Sequence, residues 1–173
     1  MPKPTSPSKP AGLNSSNSAS SKRSAFPPAK KLTGTEKELS QVIFEQTGGN
    51  QNFALIRSKG DQALFSKSTK AMKAQWRVPD KRPLADFAPT IILKAKDFAT
   101  EITIHNAREH QMASEPQISS EHITNNQAVR NTLIDRGIRP ESLPPAEDVK
   151  KVERRLTTEE KKALKNPDRL EGA

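Results

Sequence analysis

Cysteine is absent from this chain of 173 residues, which excludes a disulfide framework and thiolate chemistry. Long apolar runs are absent too: nothing approaches the roughly 18 residues of a membrane span. No apolar segment follows Lys3 and Lys9, as a secretory leader requires. No stretch shows the polar–apolar alternation of a half-buried strand. There is no Walker glycine loop, no GxGxxG and no GxSxG motif. Hydrophobic residues make up only 32% of the chain against 28% charged, a balance that leaves part of it outside any core. These absences predict a cytoplasmic, soluble, all-α protein of one domain plus a tail, with no membrane partner.

Catalytic and metal-binding constellations are missing as well. His105 and His110 are five residues apart, off the i, i+4 spacing of helix-borne zinc ligands. They and His122 read as surface or boundary histidines. Asp97 and Glu101 lie one helical turn apart, with Asp86 upstream. Lys94 and Lys96 beside them point to a salt-bridged, solvated face rather than a metal site. The chain is expected not to be an enzyme and to need no metal or cofactor.

What is present divides the chain into three. Residues 1–34 read as a disordered basic tail, 35–166 as a helical domain, and 167–173 as a short C-terminal tail. Met1 to Lys31 holds six Pro and eight Ser and cannot bury enough surface to offset the entropy of ordering it. The domain is expected to be a compact, bundle-like assembly of six or seven helices. Thr35 with Glu38 has the form of a capping box, and Gly48-Gly49 stops the helix that follows. A second helical piece, Phe53 to Arg57, is expected to break at Lys59-Gly60-Asp61, with Asp61 capping Gln62 to Phe65. Ser68 caps a helix over Thr69 to Arg77, and Val78-Pro79 stops it.

Leu84, Phe87, Ala88, Ile91, Ile92, Ala95, Phe98, Ala99 and Ile102 then recur at three- and four-residue steps, a wide stripe meant for a core. On this reading Phe87, Ile91, Phe98 and Ile102 are buried. A short turn ends near Phe87 and a long helix starts at Pro89. Glu109 to Ser119 reads as a loop, followed by a helix through Arg136 that Gly137 ends in the left-handed conformation. Ala146 to Leu156 and a separate short helix, capped by Thr157 and running to Lys165, complete the domain.

The net charge of +9 is unevenly placed. Met1–Thr35 carries six basic residues and no acid. Arg57–Arg82 carries eight basic residues against Asp61 and Asp80. This second segment is the candidate nucleic-acid site: Arg57, Lys59, Lys67, Lys70, Lys73, Arg77, Lys81 and Arg82. Lys70, Lys73 and Arg77 fall on one helical face, where they could neutralise phosphates. A solvated face and an acidic protein surface are the alternatives. Trp76, the only Trp, reads either as a platform for an unpaired base or as core beside Met72. The basic tail reads either as an added phosphate-binding arm or as a solubilising leader.

Three stretches carry a family resemblance: IRSKGDQALF (Ile56 to Phe65), RPLADFAPTIILKAKDFATEIT (Arg82 to Thr103) and NNQAVRNTLIDRGIRPESLPPAEDVKKVERRL (Asn125 to Leu156). Together they resemble the C-terminal region of the DNA-damage-inducible protein D (DinD) family of bacteria, over roughly Leu39 to Leu164. The resemblance implies a place in the DNA-damage (SOS) response, with recombinase filaments on single-stranded DNA as the partner. It brings no established active-site residues. Longer members carry an N-terminal domain of the BRO or phage-antirepressor type; ahead of Leu39 this chain has a Pro/Ser segment. The expected function is that of a non-enzymatic accessory of DNA repair or recombination that binds single-stranded DNA or a RecA-type nucleoprotein filament. The alternative is a protein–protein interaction module, antitoxin-like or a phage-encoded inhibitor, without direct DNA contact.

Overall fold

The computed structural model describes residues 28–49 and 52–165. Among them every regular element is helical, as expected: α1 (Pro28–Thr47), α2 (Phe53–Phe65), α3 (Thr69–Trp76), α4 (Thr90–Glu109), α5 (Glu115–Asp135) and α6 (Val149–Lys165). Two 3-10 turns, Leu84–Phe87 and Pro140–Ser142, join them. The disordered-tail expectation lies outside the described residues up to position 27. Residues 28–34 of that expected tail belong to α1, which starts on Pro28, where a missing N–H costs nothing. Leu32 anchors this turn in the core.

Several stops and starts follow the local rules. The Ser68 hydroxyl accepts from Ala71 N at 3.1 Å and caps α3. Gly48 and Gly137 adopt positive φ after α1 and α5. Pro89 immediately precedes α4. Four expectations fail. Thr35 caps nothing, because it sits inside α1 with its hydroxyl on Asp97 Oδ1 at 2.6 Å. Lys59-Gly60-Asp61 does not break α2, which is continuous. The loop before α5 is shorter than Glu109 to Ser119, since α5 opens at Glu115 with Pro116 in its first turn. The two C-terminal helices are one: the Thr157 and Thr158 hydroxyls bond back to the Glu153 and Arg154 carbonyls instead of capping a new start.

The core is four helices. α4 packs on α1 and α5, and α5 packs on α2. One apolar cluster gathers Leu32, Leu64, Phe65, Met72, Trp76, Ile92 and Leu133 with their neighbours. A second gathers Leu39, Val42, Ile43, Ile56, Ile104, Ala107 and Ile118. Between them each helix contributes buried or half-buried polar residues: Thr35 and Glu36 from α1, Asp61 from α2, Lys96, Asp97, Thr100 and Thr103 from α4. From α5 come Ser119, His122, Asn125 and Asn126. The burial of α4 corrects the expected stripe. Phe98 is 62% and Ile91 44% exposed, and Phe87 and Ile102 are only half-buried, whereas Ile92, Lys96, Ala99, Thr103 and Ala107 face the core.

Past α5 the chain forms a strap. Ile138 N returns to Leu133 O at 2.9 Å, as a Gly-terminated helix requires. Arg130 holds Glu141 through Nη1 and Nη2, at 2.7 and 3.0 Å, and donates to Leu64 O at the end of α2. Leu143 O accepts the Trp76 indole N–H at 2.9 Å. Ala146 N donates to Phe87 O at 2.8 Å. The GIRPESLPPAED run is thus spent on holding α2, α3, α5 and the Leu84–Phe87 turn together.

Gly60 explains itself in this frame. A Cβ there would collide with the His122 imidazole, so glycine is what lets α2 approach α5 closely. Gly60→Ala is expected to lower stability by about 1–3 kcal/mol, the usual cost of overpacking. Urea titration checks this; a gain in stability, as a plain helix-propensity change would give, contradicts it.

Candidate nucleic-acid interface

The eight expected phosphate contacts separate into three groups. Arg57, Lys59 and Arg82 are engaged within the protein. Arg57 Nη1 lies 3.3 Å from Glu36 Oε2. Lys59 donates to the Ser119 hydroxyl at 3.1 Å. Arg82 binds Asp86 at 2.8 Å and Asp148 at 2.6 Å while its guanidinium covers the Phe87 ring. Hydrogen bonds from Arg82 hold the Asp148 carboxyl below the usual range. Lys73 and Lys67 spend their ammoniums on neutral acceptors, Asp80 O at 2.9 Å and Gln75 Oε1 at 2.7 Å. Lys70, Arg77 and Lys81 are exposed and make no ion pair among the described residues.

The expected Lys70–Lys73–Arg77 face therefore does not form. α3 ends at Trp76, and Arg77 leaves it in the left-handed conformation, φ 56°. Trp76 is not a stacking platform: its ring is 5% exposed, meets Phe65 edge-on at 5.6 Å, and its only donor is used on Leu143 O.

A denser cationic surface lies on α6. At 100° per residue, Lys150, Lys151, Arg154, Arg155, Lys161, Lys162 and Lys165 fall within an arc of about 140°. Glu153, Glu159, Glu160 and the apolar residues Val149, Val152, Leu156 and Ala163 occupy the other side. No residue of α6 is buried. Only Arg155 of the seven cations has an ion pair among the described residues, with Glu147 at 3.0 Å. The Arg82–Asp148 bridge fastens the loop carrying Lys81 to the residue just before α6, so the two cationic regions adjoin. The net charge of the C-terminal half, −1 from Pro83 onward by count, masks this cationic face. A helical projection of residues 149–165 exposes it.

Beneath this surface the polar layer holds a charged group. Lys96 Nζ contacts Asp61 Oδ1 at 2.5 Å and Glu36 Oε1 at 3.7 Å. Burial opposes its charge, but the two carboxylates outweigh that and hold its pKa above the usual range. A cleft of about 280 Å³ between α1, α2 and the Leu84–Phe87 turn opens onto this group. Its carboxylates, Glu36, Asp61 and Asp86, are each matched by a cation, so it offers no free carboxylate to a metal, and Lys73, a lining cation without a carboxylate partner, donates to Asp80 O. Asp97 is similarly spent on Thr35 and Lys31, and Asp86 on Arg82.

His122 is buried, not a surface residue. The Thr103 hydroxyl donates to Ala99 O at 2.8 Å, so at 3.1 Å it accepts from His122 Nδ1–H. The Nε2 lone pair then faces the Asn126 amide at 3.4 Å. Burial first, and the Lys96 charge second, push the imidazole down to about 4 from its ordinary 6.5.

Comparison with family models, curated proteins and solved structures finds no match in any of the three.

The His122 environment sets a pH dependence with a definite sign. Between pH 6.5 and about 4 the unfolded chain protonates His122 and the folded chain does not, so stability falls with acidity across that window. The loss approaches roughly 3 kcal/mol. Urea titrations from pH 7 to 4 should show this slope in the parent and a shallower one in His122→Gln. Equal slopes contradict the assignment.

Proposed function

We propose that this chain is a DinD-like, non-enzymatic accessory of DNA repair or recombination. It acts in the cytoplasm by binding single-stranded DNA, bare or within a recombinase filament. One observation carries the reading: seven cations share one arc of α6, and six of them have no ion-pair partner among the described residues. Lys81 adjoins that surface across the Arg82–Asp148 bridge, and Lys70 and Arg77, on and just after α3, are two further cations without an ion pair among the described residues. Phosphates docking there would release condensed counterions without stripping the protein of ion pairs it needs for folding. The α6 face is exposed, which suits a backbone contact independent of sequence. The resemblance of Asn125–Leu156 to DinD proteins points to the same class of partner. Trp76 has no part in base stacking, since it is inside.

Binding to a labelled oligothymidylate, followed by fluorescence anisotropy over a potassium chloride series, tests the reading. A steep fall of affinity with salt is expected. Lys150→Ala/Lys151→Ala/Arg154→Ala should lower the magnitude of the slope by about 2 units, at roughly 0.7 per single-strand phosphate contact. The fold should survive, because exposed substitutions usually stay within about ±0.5 kcal/mol. Negligible or salt-independent binding by the parent contradicts the proposal and favours a protein-only module. An unchanged slope in the triple variant removes α6 as the site.

A further inference from the structure

α4 presents to solvent the residues the core does not take: Ile91, Lys94, Phe98, Glu101 and His105, with Ile102 half-covered beside them. They recur at steps of three and four, so they form one stripe along a helix about 30 Å long. A phenylalanine 62% exposed at the centre of such a stripe, with Ile91 44% exposed one end over, is apolar surface that a monomer leaves in water.

The charges of the stripe select its occupant. Lys94 stands four residues before Phe98 and Glu101 three after it. When a helix meets its own two-fold copy antiparallel about Phe98, position 98 − n lies opposite 98 + n. Lys94 then falls beside Glu101 of the second copy, and the same pair forms again at the other end. Phe98 meets its counterpart on the axis, and Ile91 seats between Ile102 and His105 of the copy. The parallel alternative sets Lys94 against Lys94 and Glu101 against Glu101, which repel. Neither Lys94 nor Glu101 has an ion-pair partner among the described residues, so both are free to serve.

We propose that the outer face of α4 is a homodimer interface, two copies of this chain pairing antiparallel about Phe98 with two reciprocal Lys94–Glu101 ion pairs. The pairing is independent of any nucleic acid and uses none of the cations on α6.

Sedimentation velocity on the full chain without DNA, from micromolar to submillimolar concentration, tests it. A concentration-dependent monomer–dimer equilibrium is expected. Phe98→Asp should leave the protein monomeric throughout, with an unchanged circular dichroism spectrum because the ring is outside the core. Lys94→Glu should raise the dissociation constant at least about tenfold, since it sets acid against acid at both ends. Glu101→Lys should do the same. The double variant Lys94→Glu/Glu101→Lys restores both pairs in reversed sense and should recover the parent constant to within about threefold. A parent that stays monomeric at every concentration overturns the proposal. So does a dimer that survives Phe98→Asp, or a double variant no better than the two singles.

Discussion

The fold depends on one buried interaction, the ion pair between Lys96 of α4 and Asp61 of α2, with Glu36 of α1 as second acceptor. It lies in a polar layer that separates two apolar clusters, and every helix of the four-helix core contributes to that layer. The layer sets the register of the bundle. Sliding α4 by one turn against α2 would press an ammonium into the Ile56 or Leu64 level and leave Asp61 charged without a partner, at a cost of several kcal/mol. The rest of the layer is hydrogen-bonded: Thr35 on Asp97, Thr103 between His122 and Asn125, Asn126 on the His122 carbonyl. Gly60 exists to let His122 into it.

The layer also explains which parts of the fold were legible. Helix class and several starts and stops could be read because they rest on local chemistry: the Ser68 cap, Pro89 before α4, Gly137 after α5. Burial on α4 could not. Ile91, Phe98 and Ile102 keep helical spacing as well as Ile92, Ala99 and Ala107 do, and apolar character alone favours the first face. The second face holds Lys96, Thr100 and Thr103, which look like solvent residues until a carboxylate from α2 is brought opposite. The same long-range pairing turned Asp61 from an expected helix cap into a core residue, and Gly60 from an expected break into a contact point. Neither is encoded within a few residues of sequence.

Candidate site residues were legible to a similar extent. A count of basic residues located the Arg57–Arg82 segment but not how its charges are used. Arg57 and Lys59 face a carboxylate and a hydroxyl on other helices, Arg82 holds Asp86 in the adjoining turn and Asp148 just before α6, and Lys73 turns to a backbone carbonyl. What remains free is Lys70, Arg77, Lys81 and the α6 face. The cationic face of α6 is hidden when the helix is divided in two, Ala146 to Leu156 and a second piece capped by Thr157. Joined, residues 149–165 place every cation on one side. The interior thus consumes charge in matched pairs, while the surface that remains is cationic, in keeping with the polyanionic partner proposed.

A double-mutant cycle on Lys96 and Asp61 tests the central dependence most directly. Lys96→Met removes the ammonium at similar length, and Asp61→Asn removes the carboxylate charge at similar size. Lys96→Met should cost about 3–5 kcal/mol, because it leaves Asp61 buried and unpaired. Asp61→Asn should cost less, because Lys96 keeps Glu36. The double variant should lose well under the sum of the two, with a coupling energy of about 2–3 kcal/mol in urea unfolding. Additive losses, each within the ±0.5 kcal/mol or so of an exposed pair, would contradict the account.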